Sequence, residues 1–172
     1  MRALVVYESM FHNTQRVAES IASGLRPEMD AIVLEVGVAP SLVETPIDLL
    51  VLGGPTQALR MSRPETRKGA AKKTDSAVVS QGIGIREWIS AQKGHSVRVS
   101  AATFDTRFKM SVGLTGSAAR SAEKKLRKAG FAMIASAESF FVEHETGPLH
   151  PGEEDRAFQW GETLTVRLVT GR

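Results

Sequence analysis

Apolar and polar positions along the chain follow two periods. Ala3 to Tyr7 is a short continuous apolar run, the mark of a strand buried on both faces. After the polar stretch Glu8 to Asn13, residues Val17, Ala18, Ile21, Ala22 and Leu25 fall on one helical face until Pro27 stops the pattern. Ile32 to Val36 and Asp48 to Leu52 read as two more strands. Between them Ser41 and Glu44 stand at capping-box spacing, flanked by Pro40 and Pro46, so a short crossover helix is expected. A helix around Ile85 to Ala91 precedes a fourth strand at Val97 to Thr103. From Ser117 to Ala129 an apolar face (Ala118, Ala122, Leu126, Ala129) backs a ridge of Arg120, Lys124, Arg127 and Lys128. A fifth strand belongs between Gly130 and Val142, and a last helix, Glu153 to Val169, carries Ala157, Trp160, Leu164 and Leu168 on one side. Trp88 and Trp160 both sit on apolar helix faces and are expected in the core.

Strands alternating with helices, without an internal repeat, predict an α/β protein with a parallel sheet covered on both faces by right-handed crossovers. Ligands of such sheets bind beyond the carboxyl ends of the strands, where the strand order reverses. The informative loops are therefore those after Tyr7, Leu52 and Thr103. A chain of 172 residues is expected to form one domain over 1–172.

The first loop, Glu8-Ser9-Met10-Phe11-His12-Asn13-Thr14, is dense in hydroxyl and amide donors and holds no lysine or arginine. An anion there would be held by backbone N–H groups, by Ser9, Asn13 and Thr14, and by the positive end of the next helix. The loop lacks the lysine of GxxxxGK[ST], which argues against triphosphate hydrolysis, and no GxGxxG follows a strand; Gly82-Ile83-Gly84 lacks the third glycine. In the second loop, Gly53-Gly54-Pro55-Thr56-Gln57 follows a buried strand, and its glycines would let backbone approach a flat ligand. The third, Phe104-Asp105-Thr106-Arg107, brings an aromatic, a carboxylate and a guanidinium to a strand end.

Composition narrows the chemistry. With no cysteine there is no disulfide, no thiol nucleophile and no iron–sulfur or Cys-ligated zinc site, so redox work would need a bound cofactor. His95, His144 and His150 show no HxxxH spacing, and no metal site is expected. No apolar run has the length of a membrane helix or a signal-peptide core, so a cytoplasmic protein is expected, with no membrane partner. Net charge is only +3, but it is unevenly spread. Arg60 to Lys73 holds six bases and one acid, Arg107 to Lys128 seven and one, and Glu138 to Arg156 one base and six acids. Clustered charge steers encounter with an oppositely charged partner. The basic segments lack interleaved aromatics, so nucleic acid is not the expected partner. Arg60 to Ser80 also has too few apolar residues to anchor itself and is expected to be mobile until a partner docks.

Together the three loops resemble the flavodoxin-like family. Val5-Val6-Tyr7-Glu8-Ser9-Met10-Phe11-His12-Asn13-Thr14 is similar to its phosphate loop, [TS]-x-[TS]-G-[NQ]-T, and Leu50-Val51-Leu52-Gly53-Gly54-Pro55-Thr56 to its third strand and second flavin loop. Met61-Ser62-Arg63-Pro64 and Phe104-Asp105-Thr106-Arg107 resemble a short flavodoxin-domain subgroup associated with actinobacteria. The resemblance implies a flavodoxin-like doubly wound five-stranded parallel sheet, order 2-1-3-4-5, with helices on both faces and FMN as cofactor. Ser9, Met10, Phe11, His12, Asn13 and Thr14 would hold the phosphate, and Pro55, Thr56, Gln57 and Ala58 would run beside one face of the ring. Phe104, Asp105, Thr106 and Arg107 would meet the pyrimidine end, with Asp105 or a nearby carbonyl accepting from the ring N3–H. His12 stands where the pattern has glycine, and the second loop offers Gln57, Ala58 and Leu59 in place of an aromatic, leaving Phe11, Phe104 and Phe108 as candidate stackers.

The function this implies is an FMN-binding redox protein that transfers electrons, with no catalytic side chain of its own. An NAD(P)H-dependent quinone or flavin reductase is the alternative within that class, and a binding module with a weakened or empty cofactor site the alternative outside it. Because the chain is basic near the flavin loops, an acidic redox protein is the expected partner; the oligomeric state is not set by the sequence.

Overall fold

Val5 lies between Val33 on one side and Val51 on the other, and Val51 in turn faces Ala102, so apolar residues run straight across four neighbouring strands. A computed structural model describes residues 1–42, 45–92, 99–109 and 116–171. Its elements are β1 (Arg2–Tyr7), α1 (Asn13–Leu25), β2 (Asp30–Glu35), β3 (Leu49–Gln57), β4 (Arg60–Met61) and α2 (Pro64–Ala71), then α3 (Ile85–Ala91), β5 (Ser100–Phe108), α4 (Ala118–Lys128), β6 (Ala132–Met133), β7 (Glu138–Val142) and α5 (Glu153–Thr170). The main strands are parallel in the order β2-β1-β3-β5, and β6 and β7 both pair with β5, one at its start and one at its end. The fifth position is thus a broken strand, and the order is the expected 2-1-3-4-5. The fold is a doubly wound α/β sheet.

Strand parity divides the core into two layers. Ala3, Val5 and Tyr7 join Ile21, Leu25, Phe104, Phe140, Leu164 and Leu168 on the α1/α5 side. Leu4 and Val6 join Leu50, Leu52, Ile85, Trp88 and Leu126 on the α3/α4 side. A strand covered twice needs both parities apolar, which is why it reads as a continuous run. Trp88 is in the second layer, and Trp160 packs half-buried and edge-on against Phe104 and Phe140. On the first side α1 and α5 touch backbone to backbone: a Cβ at Gly161 would stand 2.3 Å from the Ile21 carbonyl oxygen. Only glycine admits that approach.

Two expectations change. The β2–β3 connection is not helical among its described residues; Val43 and Glu44, half of the expected capping box, lie outside them, as do Val97 and Arg98 of the expected fourth strand. Segment 60–80, expected to lack anchors, is tied down both by polar groups and by Met61, Ala70 and Val78, which are buried. It pairs as β4 with the end of β3, forms α2, and returns two backbone bonds to the first loop, Val79 N–H to the Met10 carbonyl at 3.2 Å and Ser80 N–H to the Ser9 carbonyl at 2.8 Å. Arg67 is buried and donates to Ser62 Oγ at 2.9 Å while pairing with Glu87 at 3.1 Å. Apolar counting misses an anchor of this kind.

Candidate functional site

The first loop leaves β1 at Glu8 and enters α1 through His12, whose φ of 65° is left-handed. This is the conformation a glycine takes freely, so the histidine fills the glycine position at some strain. Its ring turns out to Gln15 Oε1 at 3.1 Å and does not line the cleft described below. The first amides of α1 have no intrahelical acceptor and point at the loop's concave side. Asn13 donates through Nδ2 to the Thr146 carbonyl at 3.1 Å, and Thr14 Oγ1 shares a 2.7 Å bond with Thr106 Oγ1 at the end of β5. Ser9 uses its amide on Ser80 Oγ at 3.0 Å, but its own hydroxyl is buried with no partner.

The second loop is the end of β3. A Cβ at Gly53 would fall 2.3 Å from the Phe104 ring, and one at Gly54 2.9 Å from Ile85 Cδ1. These glycines make room for core side chains. Gln57 and Arg60 pair across a two-residue turn in which Ala58 (φ 45°) and Leu59 (φ 66°) are both left-handed. Gln57 Oε1 is buried without a partner.

In the third loop Phe104 is fully buried against Phe140 and Trp160, so it neither stacks on a ligand nor lines the cleft. Asp105 is also fully buried. Its Oδ2 accepts from Thr56 Oγ1 at 2.9 Å, Ser117 Oγ at 2.5 Å and Ala119 N–H at 3.0 Å. The carboxylate therefore latches the end of β3 to the start of α4 through Oδ2, while its Oδ1 is buried without a hydrogen-bond partner. Arg107 donates to Ser139 Oγ at 3.1 Å and its Nε stands 3.9 Å from the other Asp105 oxygen.

The loops enclose a cleft of about 450 Å³ at the carboxyl edge of β1, β3 and β5. Ser9, Met10, Phe11, Asn13, Thr14, Pro55, Thr56, Gln57, Ala58, Thr106 and Arg107 line it; His12, Phe104 and Asp105 do not. Sequence reading missed the wall made by α2, with Thr66, Ala70 and Lys73, and the Lys73–Glu145 ion pair across the mouth. Leu59 and Phe108 add exposed apolar surface at the rim. Only Phe108, an aromatic beside a strand end, had a visible signal. Ser9 and Thr14 offer neutral donors at a helix N-terminus, and Phe11, Leu59, Phe108 and Val142 offer apolar faces. This combination suits a phosphorylated, flat, largely apolar molecule.

Beneath the first loop, Glu8 is fully buried with Oε2 accepting from Ile85 N–H at 3.0 Å and Oε1 unpartnered. Burial raises its pKa, against the opposing pull of Ser62, Ile85 N–H and Arg67. Among the described residues no His, Asp and Glu gather as a metal site, and no helix is long and apolar enough to cross a membrane.

No family model matches the sequence, and no curated protein does. Solved structures do match in fold. A flavodoxin from the Archaea aligns with TM-score 0.68 at 18% identity over 98% of this chain and 99% of that one. Oxidised flavodoxin 1 from Bacillus cereus gives 0.66 at 18% over 99% and 98%. A flavodoxin from Streptococcus pneumoniae TIGR4 gives 0.68 at 14% over 97% and 99%. Identities this low speak for architecture alone, and on that level the chain has the flavodoxin-like fold.

Proposed function

We propose that the cleft binds FMN and that the protein transfers electrons through it. The observation that carries this reading is the Ser9 hydroxyl, buried and unpartnered in the loop that leads into α1, on the lining of a cleft of about 450 Å³. An orphaned buried donor costs free energy unless a ligand meets it. A phosphate supplies the acceptor, and the helix dipole favours its charge without a lysine. The residues present fit the rest of the group as well. Thr14, steadied by Thr106, provides a second hydroxyl, and the orphaned Gln57 Oε1 supplies the acceptor for a ring N3–H in place of Asp105. Pro55 to Ala58 would hold one side of the ring, with Leu59 and Phe108 at the rim of the cleft.

The flavin would supply the one- and two-electron chemistry, which no side chain here can provide. The protein binds and orients the group and sets the polarity around it. The flavodoxin-like fold and the loop motif both support this reading.

Fluorescence titration of the apoprotein with FMN and with riboflavin tests it. FMN is expected to bind at least about tenfold more tightly, the worth of a charge-assisted phosphate bond. Binding of neither flavin would leave the fold as an empty module. Rapid loss of bound-flavin absorbance with NAD(P)H alone would make the protein a reductase in place of a shuttle.

A further inference from the structure

The two base-rich segments, Arg60 to Lys73 and Arg107 to Lys128, are divided by the fold. α4 begins beside the cleft, but its end meets the far edge of the sheet, where Ala132 N–H bonds the Val99 carbonyl at 3.0 Å. Arg127 and Lys128 therefore stand away from the cleft, and Arg127 is paired with Glu123 at 2.8 Å. In the basic segment Arg67 is buried in its ion pair and Lys73 is paired with Glu145.

Four other bases lie near the β3–β4 turn, the end of β5 and the start of α4. Arg60 in β4, Arg63 before α2, Lys109 after β5 and Arg120 in the first turn of α4 are all exposed, and none has an ion-pair partner among the described residues. Two exposed apolar side chains sit among them: Leu59, 54% exposed and next to Arg60, and Phe108, 42% exposed and next to Lys109. The turn is held against the start of α4, since a Cβ on Gly116 would lie 1.7 Å from the Leu59 carbonyl oxygen. Leu59 is left-handed, at a turn position where asparagine or glycine sits without strain. A bulky apolar residue kept exposed in a strained conformation is a contact waiting for a surface.

The geometry points to a docking surface for an acidic protein, centred on Leu59 and Phe108 and ringed by Arg60, Arg63, Lys109 and Arg120. It rests on the reading above in that a partner seated there covers the mouth of the proposed flavin cleft. Apolar contact at the centre with opposite charge around it is the make-up of a protein interface. Two isolated apolar side chains give no continuous stripe for insertion into a lipid surface.

An acidic [2Fe–2S] ferredoxin serves as the probe, its binding to the FMN-treated protein measured by calorimetry at low and at about 0.15 M ionic strength. The wild type is expected to weaken about tenfold with salt, and R60E/R63E/R120E to lose about as much at low salt. None of these three residues lines the cleft, so FMN affinity stays unchanged. Reversal on the far edge, R26E/K128E/R167E, leaves docking intact. Absence of binding, indifference to salt, or equal loss from far-edge reversal overturns the docking surface. So does rim-dependent binding of phosphatidylserine vesicles without ferredoxin binding. FMN titration of the same proteins reports separately on the cleft.

Discussion

Thr14 Oγ1 and Thr106 Oγ1 lie 2.7 Å apart in a buried contact between residues 92 positions apart in sequence. The bond joins the first turn of α1 to the carboxyl end of β5, so the proposed phosphate donors and the third loop are fixed relative to each other. Thr14→Val removes a proposed phosphate donor, and Thr106→Val removes only its support. FMN affinity is expected to fall roughly ten- to a hundredfold for Thr14→Val, about 1.5–3 kcal/mol, and less for Thr106→Val. Riboflavin, which has no phosphate, should be nearly indifferent to both. Equal losses for the two flavins would remove the phosphate from this loop.

Ser9→Ala separates binding from stability. The hydroxyl has no partner in the protein, so its removal relieves an unsatisfied buried donor, and the melting temperature of the apoprotein should hold or rise. FMN affinity should fall by about tenfold or more. A drop in apoprotein stability with FMN affinity unchanged would mean that the hydroxyl serves the fold.

Asp105 predicts the opposite split. Its Oδ2 holds three donors from β3 and the start of α4, so Asp105→Ala should destabilise the protein by about 3 kcal/mol or more, at about 1 kcal/mol or above per abandoned donor. Denaturant midpoints of the apoprotein check this. If stability is unchanged and riboflavin binding alone collapses, the carboxylate is a ligand group after all.

Glu8 gives a pH signature. Burial keeps its proton on above the ordinary value of 4.5, so the folded state binds more protons than the unfolded one in the window above that value. The resulting contribution is full below the unfolded pKa and is lost as pH rises through the folded one. Glu8→Gln keeps acceptors for Ile85 N–H and removes the titration. As the pH rises above 4.5 the wild type should therefore lose stability relative to Glu8→Gln, until the folded-state carboxyl has also ionised. Parallel stability profiles for the two proteins would refute a proton held at Glu8.

Much of the fold is written in periodicity, because strands covered on both faces must be apolar at both parities, as Ala3 to Tyr7 shows. The position of the cleft follows from the strand order. What the sequence does not display is which side of a long strand each residue takes once the strand outruns its helices. Phe104 and Thr106 share a face of β5, yet one is sealed among Phe140 and Trp160 and the other reaches the cleft. Asp105, on the other face, meets α4. Likewise α2 shows little apolar period because Arg67, a charge, is what it buries along with Ala70.

The glycine-mediated contact between α1 and α5 sets an order of events during synthesis. α1 carries donors of the first loop, and the surface that clamps it, around Gly161, is made only after β2 to β7 have followed. While a ribosome still holds α5, the face of α1 bearing Ile21 and Leu25 lacks one of its covers, and the loop rests on a helix not yet pinned. The proposed phosphate pocket is therefore completed only when α5 has emerged, and a nascent chain short of α5 should be a poor acceptor of FMN even though every residue of the first loop has already emerged.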